Sequence, residues 1–299
     1  MADTSMMFTD SEATPARVEM LLEVVRSMSG RRLDAPTIRQ LLQPEGLPGR
    51  TSTSDQAGRA ITAARELDLI EDQADGMIRA SRSRDHRSAR MAVVEAVDEK
   101  VLSDDKIEPW FGLFYAFLLG RDESAASGNE AGKHWEARFE RELFGGAKQN
   151  NRFNDSKYRG LRRWFRYCGL GWHDGDDRFH PNPYQRLTRK LPAIFGRGHD
   201  LSIDAFMERL SEQCPELDGG HLFLRANPGW DRSARTISLG LSHALVDLHL
   251  DGALVLNCPL DSDGWSIAKA APPRDKDYLK SDLASSVCYI PVNGARASG

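Results

Sequence analysis

Apolar residues at Val18, Leu21, Leu22, Val25 and Met28 recur at helical spacing, and Gly30 is placed to stop that helix. Asp34 then stands as the cap of a short second helix, with Pro36 in its first turn and Ile38, Leu41 and Leu42 inside. Pro44, Gly46, Pro48 and Gly49 form a loop. Ser54 is expected to cap a third helix carrying Ala57, Ala60, Ile61, Ala64 and Leu67. Leu69-Ile70-Glu71-Asp72 and Met77-Ile78-Arg79 flank the turn Ala74-Asp75-Gly76. Asp-Gly between two short apolar segments predicts a hairpin.

Three short helices and a hairpin follow one another in the order of a winged helix-turn-helix. The ending recurs. Trp164 to Trp172 closes another helix and enters a strand, His173 to Asp177 is a polar turn, and Arg178 to Pro181 returns. A third helix, expected from about Ser233 to Leu250, leads into a strand at Ala253 to Leu256. A turn at Asp261 to Gly264 and a returning strand at Trp265 to Ile267 follow. Each ending has a helix, an apolar strand, an Asp/Gly turn and a second strand, which makes a tandem array plausible.

The fold class expected is therefore α+β and mainly α, with two tandem winged helix-turn-helix domains and a third in prospect. The divisions are 12–85 for the first winged unit, 86–184 for a helical segment plus the second, 185–272 for a winged-helix-like third, and 273–299 for a tail. Helices near 88–101, 107–120 and 133–145 precede the second hairpin, and the tail adds a strand at Val287 to Val292. Arg121 to Gly132 reads as an exposed loop, and Pro272 to Asp277 breaks the third unit.

With 299 residues, 40% hydrophobic and 28% charged, the chain is a globular protein with ample core. The apolar run from Ile107 to Leu119 is too short to cross a bilayer. Its Trp110, Phe111, Phe114, Tyr115 and Phe117 suit a buried helix better than a stacking platform. The first ten residues show no leader pattern, so a cytoplasmic protein without membrane attachment is expected. Four widely spaced cysteines, with no CxxC, suit reduced thiols rather than a zinc ribbon or a disulfide scaffold.

Charge changes the picture more than composition does. The net charge is −4, yet Lys148 to Arg197 holds twelve Lys/Arg against four Asp. That stretch carries +8 and the remainder −12. Phosphates feel charge over a Debye length of roughly 8–10 Å, so the local balance matters most. On the helix starting near Asn154 or Asp155, Leu161, Trp164, Phe165 and Cys168 form the apolar stripe. Lys157, Arg159, Arg162, Arg163 and Arg166 lie largely off it, with Arg178 and His180 in the following hairpin. Such arginines can hold phosphates or reach guanine edges in a major groove. Gln56, Arg59 and Arg65 are secondary DNA-binding candidates on the third helix of the first unit, diluted by Asp55, Glu66 and Asp68. The third unit's helix has Arg232 and Arg235 at its start and then turns apolar and acidic, which suits packing or protein contact.

Catalytic patterns are weak. Gly128 to Lys133 resembles the end of a P-loop, but it is one residue short, and His134 stands where Ser or Thr belongs. Asp98-Glu99-Lys100 and Asp104-Asp105-Lys106 have the acid-x-Lys form of some nucleases, without an evident strand-borne partner. His243 and His249 are six apart, too far round a helix to share a metal. His173 and His180 could approach each other across their hairpin. The expectation is a protein that is not an enzyme and needs no metal or other cofactor.

Ala16 to Ala80 resembles the winged-helix superfamily throughout, and Ala64 to Ile70 and Tyr167 to Trp172 have the phrasing of its helix-to-wing passage. The layout of the whole chain is similar to the DpdG accessory proteins of phage-defence islands that place 7-deazaguanine derivatives in DNA. That resemblance implies a non-catalytic role in restricting unmodified DNA beside separate enzymes. The reading is a recognition or adaptor subunit that binds double-stranded DNA and other subunits of a bacterial DNA-processing or defence complex. The alternatives are a protein-binding scaffold bridging ATPase or nuclease subunits, and a transcriptional regulator.

Overall fold

The computed structural model describes residues 8, 13–28, 33–44, 55–84, 87–102, 109–121, 135–145, 153–173, 179–259, 263–268 and 282–291. In chain order the helices and strands begin with α1 (Pro15–Ser27), α2 (Ala35–Leu42), α3 (Gln56–Glu66), β1 (Ile70–Asp72), β2 (Ile78–Ala80) and α4 (Ala89–Lys100). They continue with α5 (Pro109–Leu119), α6 (Trp135–Phe144), α7 (Asp155–Tyr167), β3 (Gly171–His173), β4 (Phe179–Pro181) and α8 (Tyr184–Phe195). The last are β5 (Asp200–Ser202), α9 (Ile203–Gln213), α10 (His221–Ala226), α11 (Leu239–Leu250), β6 (Leu254–Asn257), β7 (Trp265–Ser266), β8 (Leu283–Ala284) and β9 (Ser286–Tyr289). The protein is mainly helical, with small antiparallel sheets, as the residue pattern implies. No helix among the described residues is long and apolar enough to cross a membrane. All four cysteines are thiols.

The chain forms two compact units. One holds Met1–Phe111 and Lys148–Cys168; the other holds Gly112–Ala147 and Gly169–Gly299. In the first unit α1 packs against α2, α3 and α4 through buried Val18, Leu21, Leu22 and Val25. Asp34 caps α2 by accepting the Thr37 N–H at 2.8 Å. The cap of α3 is Asp55, which accepts from Gly58 N–H at 2.9 Å, and not Ser54, which lies outside the described residues. Asp55 is the better acceptor at a helix N-terminus because its charge also opposes the helix dipole. The hairpin pairs Ile70 with Ala80 and Asp72 with Ile78, and Gly76 turns it at φ +76°. Ile78 N–H also donates to the Leu33 carbonyl at 2.7 Å, which ties the hairpin back to the segment before α2.

In the second unit Phe114 and Phe117 of α5 meet Phe139 of α6 edge-on. The aromatic run expected to be core is buried, from Trp110 to Phe117. The β3–β4 hairpin pairs Gly171 with Pro181 and His173 with Phe179. A Cβ on Gly171 would stand 2.3 Å from the His180 carbonyl, so only glycine lets these strands approach so closely. His180 lies opposite Trp172 and His173 opposite Phe179. Because strand side chains alternate faces, the two histidines point to opposite sides and do not meet, contrary to the expectation from their spacing.

The third helix-to-hairpin ending takes another form. The helix expected over 233–250 is α11, 239–250, preceded by a 3₁₀ turn at Arg232–Ala234. Arg235 adopts a left-handed conformation, and Ile237 N–H donates to the Ser266 carbonyl, so these residues are spent on an extended passage. Strand β6 does not pair with 265–267. It pairs with β9, which also pairs with β5, giving the sheet order β5-β9-β6. Trp265 and Ser266 pair with β8. The tail strand expected at 287–292 is thus the centre of a sheet, at 286–289. Its central place supplies partners on both edges, which a local hairpin would not. The turn at Asp261, the break at 272–277, Gly128 to Lys133 and Asp104 to Lys106 lie outside the described residues.

Candidate nucleic-acid interface

Helix α7 is built on Asn154, whose side chain accepts the Lys157 N–H at 3.0 Å. Tyr158, Leu161, Trp164 and Phe165 are buried, at the three- and four-residue spacing of one helix face. Trp164 Nε1 donates to the Ala13 carbonyl at 3.0 Å, and its ring meets Phe8 edge-on at 4.5 Å. Phe165 meets Phe111 edge-on at 4.8 Å. At the C-terminal end the Tyr167 hydroxyl donates to Glu19 of α1 at 2.7 Å. Burial, then that bond to Glu19, holds the Tyr167 phenol far above its usual range, so it stays a donor. These anchors fix the rotation of α7 about its own axis.

The fixed rotation decides which basic residues face water. Arg159, Arg163 and Arg166 are exposed, and Arg162 is half-buried beside them. At 3.6 residues per turn these four fall within about 100° of arc. Arg162 lies over the Tyr158 ring at 5.2 Å, and Arg159 pairs with Asp155 at 2.6 Å one turn back. The Arg159–Asp155 pair is solvent-exposed on both sides, so it holds its partners weakly. Lys157 does not share this face: it is half-buried, with its ammonium 5.6 Å from the Trp110 ring. Arg178 lies outside the described residues. His180 is half-buried and stacked on Trp172 at 5.6 Å.

The secondary candidates on α3 are not gathered. Arg59 is exposed, Gln56 is half-buried, and Arg65 pairs with Asp72 of β1 at 2.6 Å. Arg59 and Arg65 are six residues apart, which turns them about 120° from one another on the helix. Arg186, counted in the basic stretch by sequence, is wholly buried and paired with Glu216 at 2.8 Å. It adds nothing to a surface patch. Lys100, from one of the nuclease-like tripeptides, pairs with Asp68, and Asp98 beside it is buried on α4. Among the described residues no group of three His, Cys, Asp or Glu side chains could hold a metal ion.

The sequence matches the DpdG-like family from residue 5 to residue 262. The chain belongs to the DpdG-like family. No curated protein and no solved structure matches it. DpdG-like membership relates it to accessory proteins of phage defence and DNA modification. Sequence reasoning about this DpdG-like chain missed two groupings, both in its second unit. One is the buried polar set Arg186, Glu216 and Asp218. The other is a cavity beside the β3–β4 hairpin, lined by Trp172, Asp247 and Asp251 among others. The legible signal for the second was two aspartates one turn apart at the C-terminal end of a helix, where the helix dipole disfavours them.

Proposed function

We propose that this DpdG-like chain is a non-catalytic recognition or adaptor subunit of a phage-defence complex, and that it holds double-stranded DNA through α7. The observation that carries the reading is the single exposed face of Arg159, Arg163 and Arg166, flanked by Arg162, opposite a buried aromatic stripe. Arginine suits the task because its planar fork matches phosphate oxygens and guanine edges. Helices α1 to α3 with the β1–β2 hairpin are taken as a winged helix-turn-helix unit, and α7 as the recognition helix of a second. In that reading α7 is the helix that enters the major groove. Arg59 and Gln56 of α3 serve as secondary contacts. Other subunits supply the chemistry, and the chain requires no cofactor of its own.

The test is fluorescence anisotropy with a labelled duplex, on the wild-type protein and on R162E/R163E/R166E. Loss of most duplex affinity in a variant that keeps its thermal transition supports the reading. Unchanged affinity in a folded variant overturns it.

A further inference from the structure

The second unit carries a cavity of about 390 Å³ between the β3–β4 hairpin, the start of α8 and the end of α11. One wall is apolar. Trp172 is 50% exposed and Leu250 is 54% exposed, high values for such large apolar side chains. The indole is held in place by His180, stacked on it with an interplanar angle of 19°. The other wall is acidic. Asp247 and Asp251 stand one turn apart at the C-terminal end of α11, where the helix dipole adds negative potential. Each carboxylate is oriented through one oxygen: Asn182 Nδ2 donates to Asp247 at 3.0 Å, and the Tyr184 hydroxyl donates to Asp251 at 2.6 Å. The other carboxylate oxygens remain available to a ligand.

We infer that this cavity is an anchor site for an arginine side chain of a protein partner subunit. A guanidinium lies flat on an indole face while its edge donates to carboxylates, and the lining of this cavity holds both kinds of group. The apolar stem of the arginine packs on Leu250. Charge complementarity selects the occupant. Two carboxylates at a helix C-terminus repel phosphate, so nucleic acid does not dock on this face. The proposal does not depend on the role of the α7 arginines. The site gives the subunit a means of being held by its complex while α7 is free for DNA.

The probe is N-acetyl-arginine methylamide, with the isosteric citrulline compound and guanosine as comparisons. The readout is ¹⁹F NMR of the full chain labelled with 5-fluorotryptophan, with the Trp172 resonance assigned through W172F. The expected result is a saturable shift of that resonance by the arginine compound, with the citrulline compound at least about ten-fold weaker. D247N/D251N, which keeps both internal hydrogen-bond acceptors, is expected to weaken arginine binding by a similar factor. Should that variant not fold, Q185K replaces an exposed residue of the cavity rim with an internal cation, which is expected to compete with the probe. Equal binding of the arginine and citrulline compounds, or no shift with either, overturns the proposal. So does a shift with guanosine alone, which would make this a nucleobase site.

Discussion

The guanidinium of Arg186 meets the carboxylate of Glu216 at 2.8 Å, with neither side chain exposed to water. Arg186 also reaches the Gln213 carbonyl, so α8 is tied to the end of α9 and, through Glu216, to the segment that follows it. Burying two charges is offset only while both are present. Glu216→Gln is expected to destabilise the protein by about 3–5 kcal/mol, because the arginine keeps its charge in the core. Arg186→Met/Glu216→Leu is expected to recover most of that loss. Urea denaturation of the three proteins checks both statements. A Glu216→Gln protein as stable as wild type would show that water reaches the pair.

Asp218 is wholly buried and accepts two hydrogen bonds from Ser238, at 2.7 Å from the backbone N–H and 2.6 Å from the hydroxyl. Burial raises its carboxyl from 3.8 to about 6, and the Ser238 bonds only partly oppose this. The folded protein therefore binds a proton at Asp218 more tightly than the unfolded chain does. The contribution of this group to stability is greatest below pH 3.8 and is lost as pH rises through about 6. The full span corresponds to roughly 3 kcal/mol. Asp218→Asn preserves an acceptor for the Ser238 N–H and a donor for its hydroxyl. It is expected to flatten this part of the pH profile and to be at least as stable as wild type near neutral pH. Denaturation midpoints across the acidic range report it.

Trp164 sets the rotation of α7, and its indole N–H is the partner of the buried Ala13 carbonyl. Trp164→Phe is expected to lose about 1–3 kcal/mol, since the carbonyl is left without its donor. Trp164→Ala is expected to lose about 3–5 kcal/mol through the cavity it opens. The phenylalanine variant retains the aromatic contacts, so its duplex affinity should match that of wild type. A large loss of affinity with little loss of stability would assign Trp164 a direct role in binding.

The local signals in the sequence carried well. Helical spacing located α4, α5 and α6 to within two residues at each end, and Asp34 was identifiable as a cap because its side-chain oxygen has one obvious use there. The arginine face of α7 was also legible, because a stripe with Leu161 and Trp164 defines its own opposite side. Pairing over distance was not. The apolar segment from Trp265 to Ile267 follows strand β6 closely in the sequence, yet β6 pairs with β9, thirty-two residues after its start. Short apolar strands carry little information about which partner they will take. Lys157 and Arg186 look alike in the sequence to the exposed arginines. Their burial depends on Trp110 and on Glu216, residues far off in the chain.

The claim that α7 holds DNA through its arginines is tested most directly by the salt dependence of duplex binding. Each phosphate neutralised contributes about 0.9 to the slope of log affinity against log salt on duplex DNA. Wild type and R159A/R163A/R166A would be compared on the same labelled duplex, with a matching single strand as reference. The account predicts a steep slope for wild type on the duplex and a slope lower by roughly 2–3 in the variant. An unchanged slope in a folded variant, or no binding by wild type even at low salt, would contradict it.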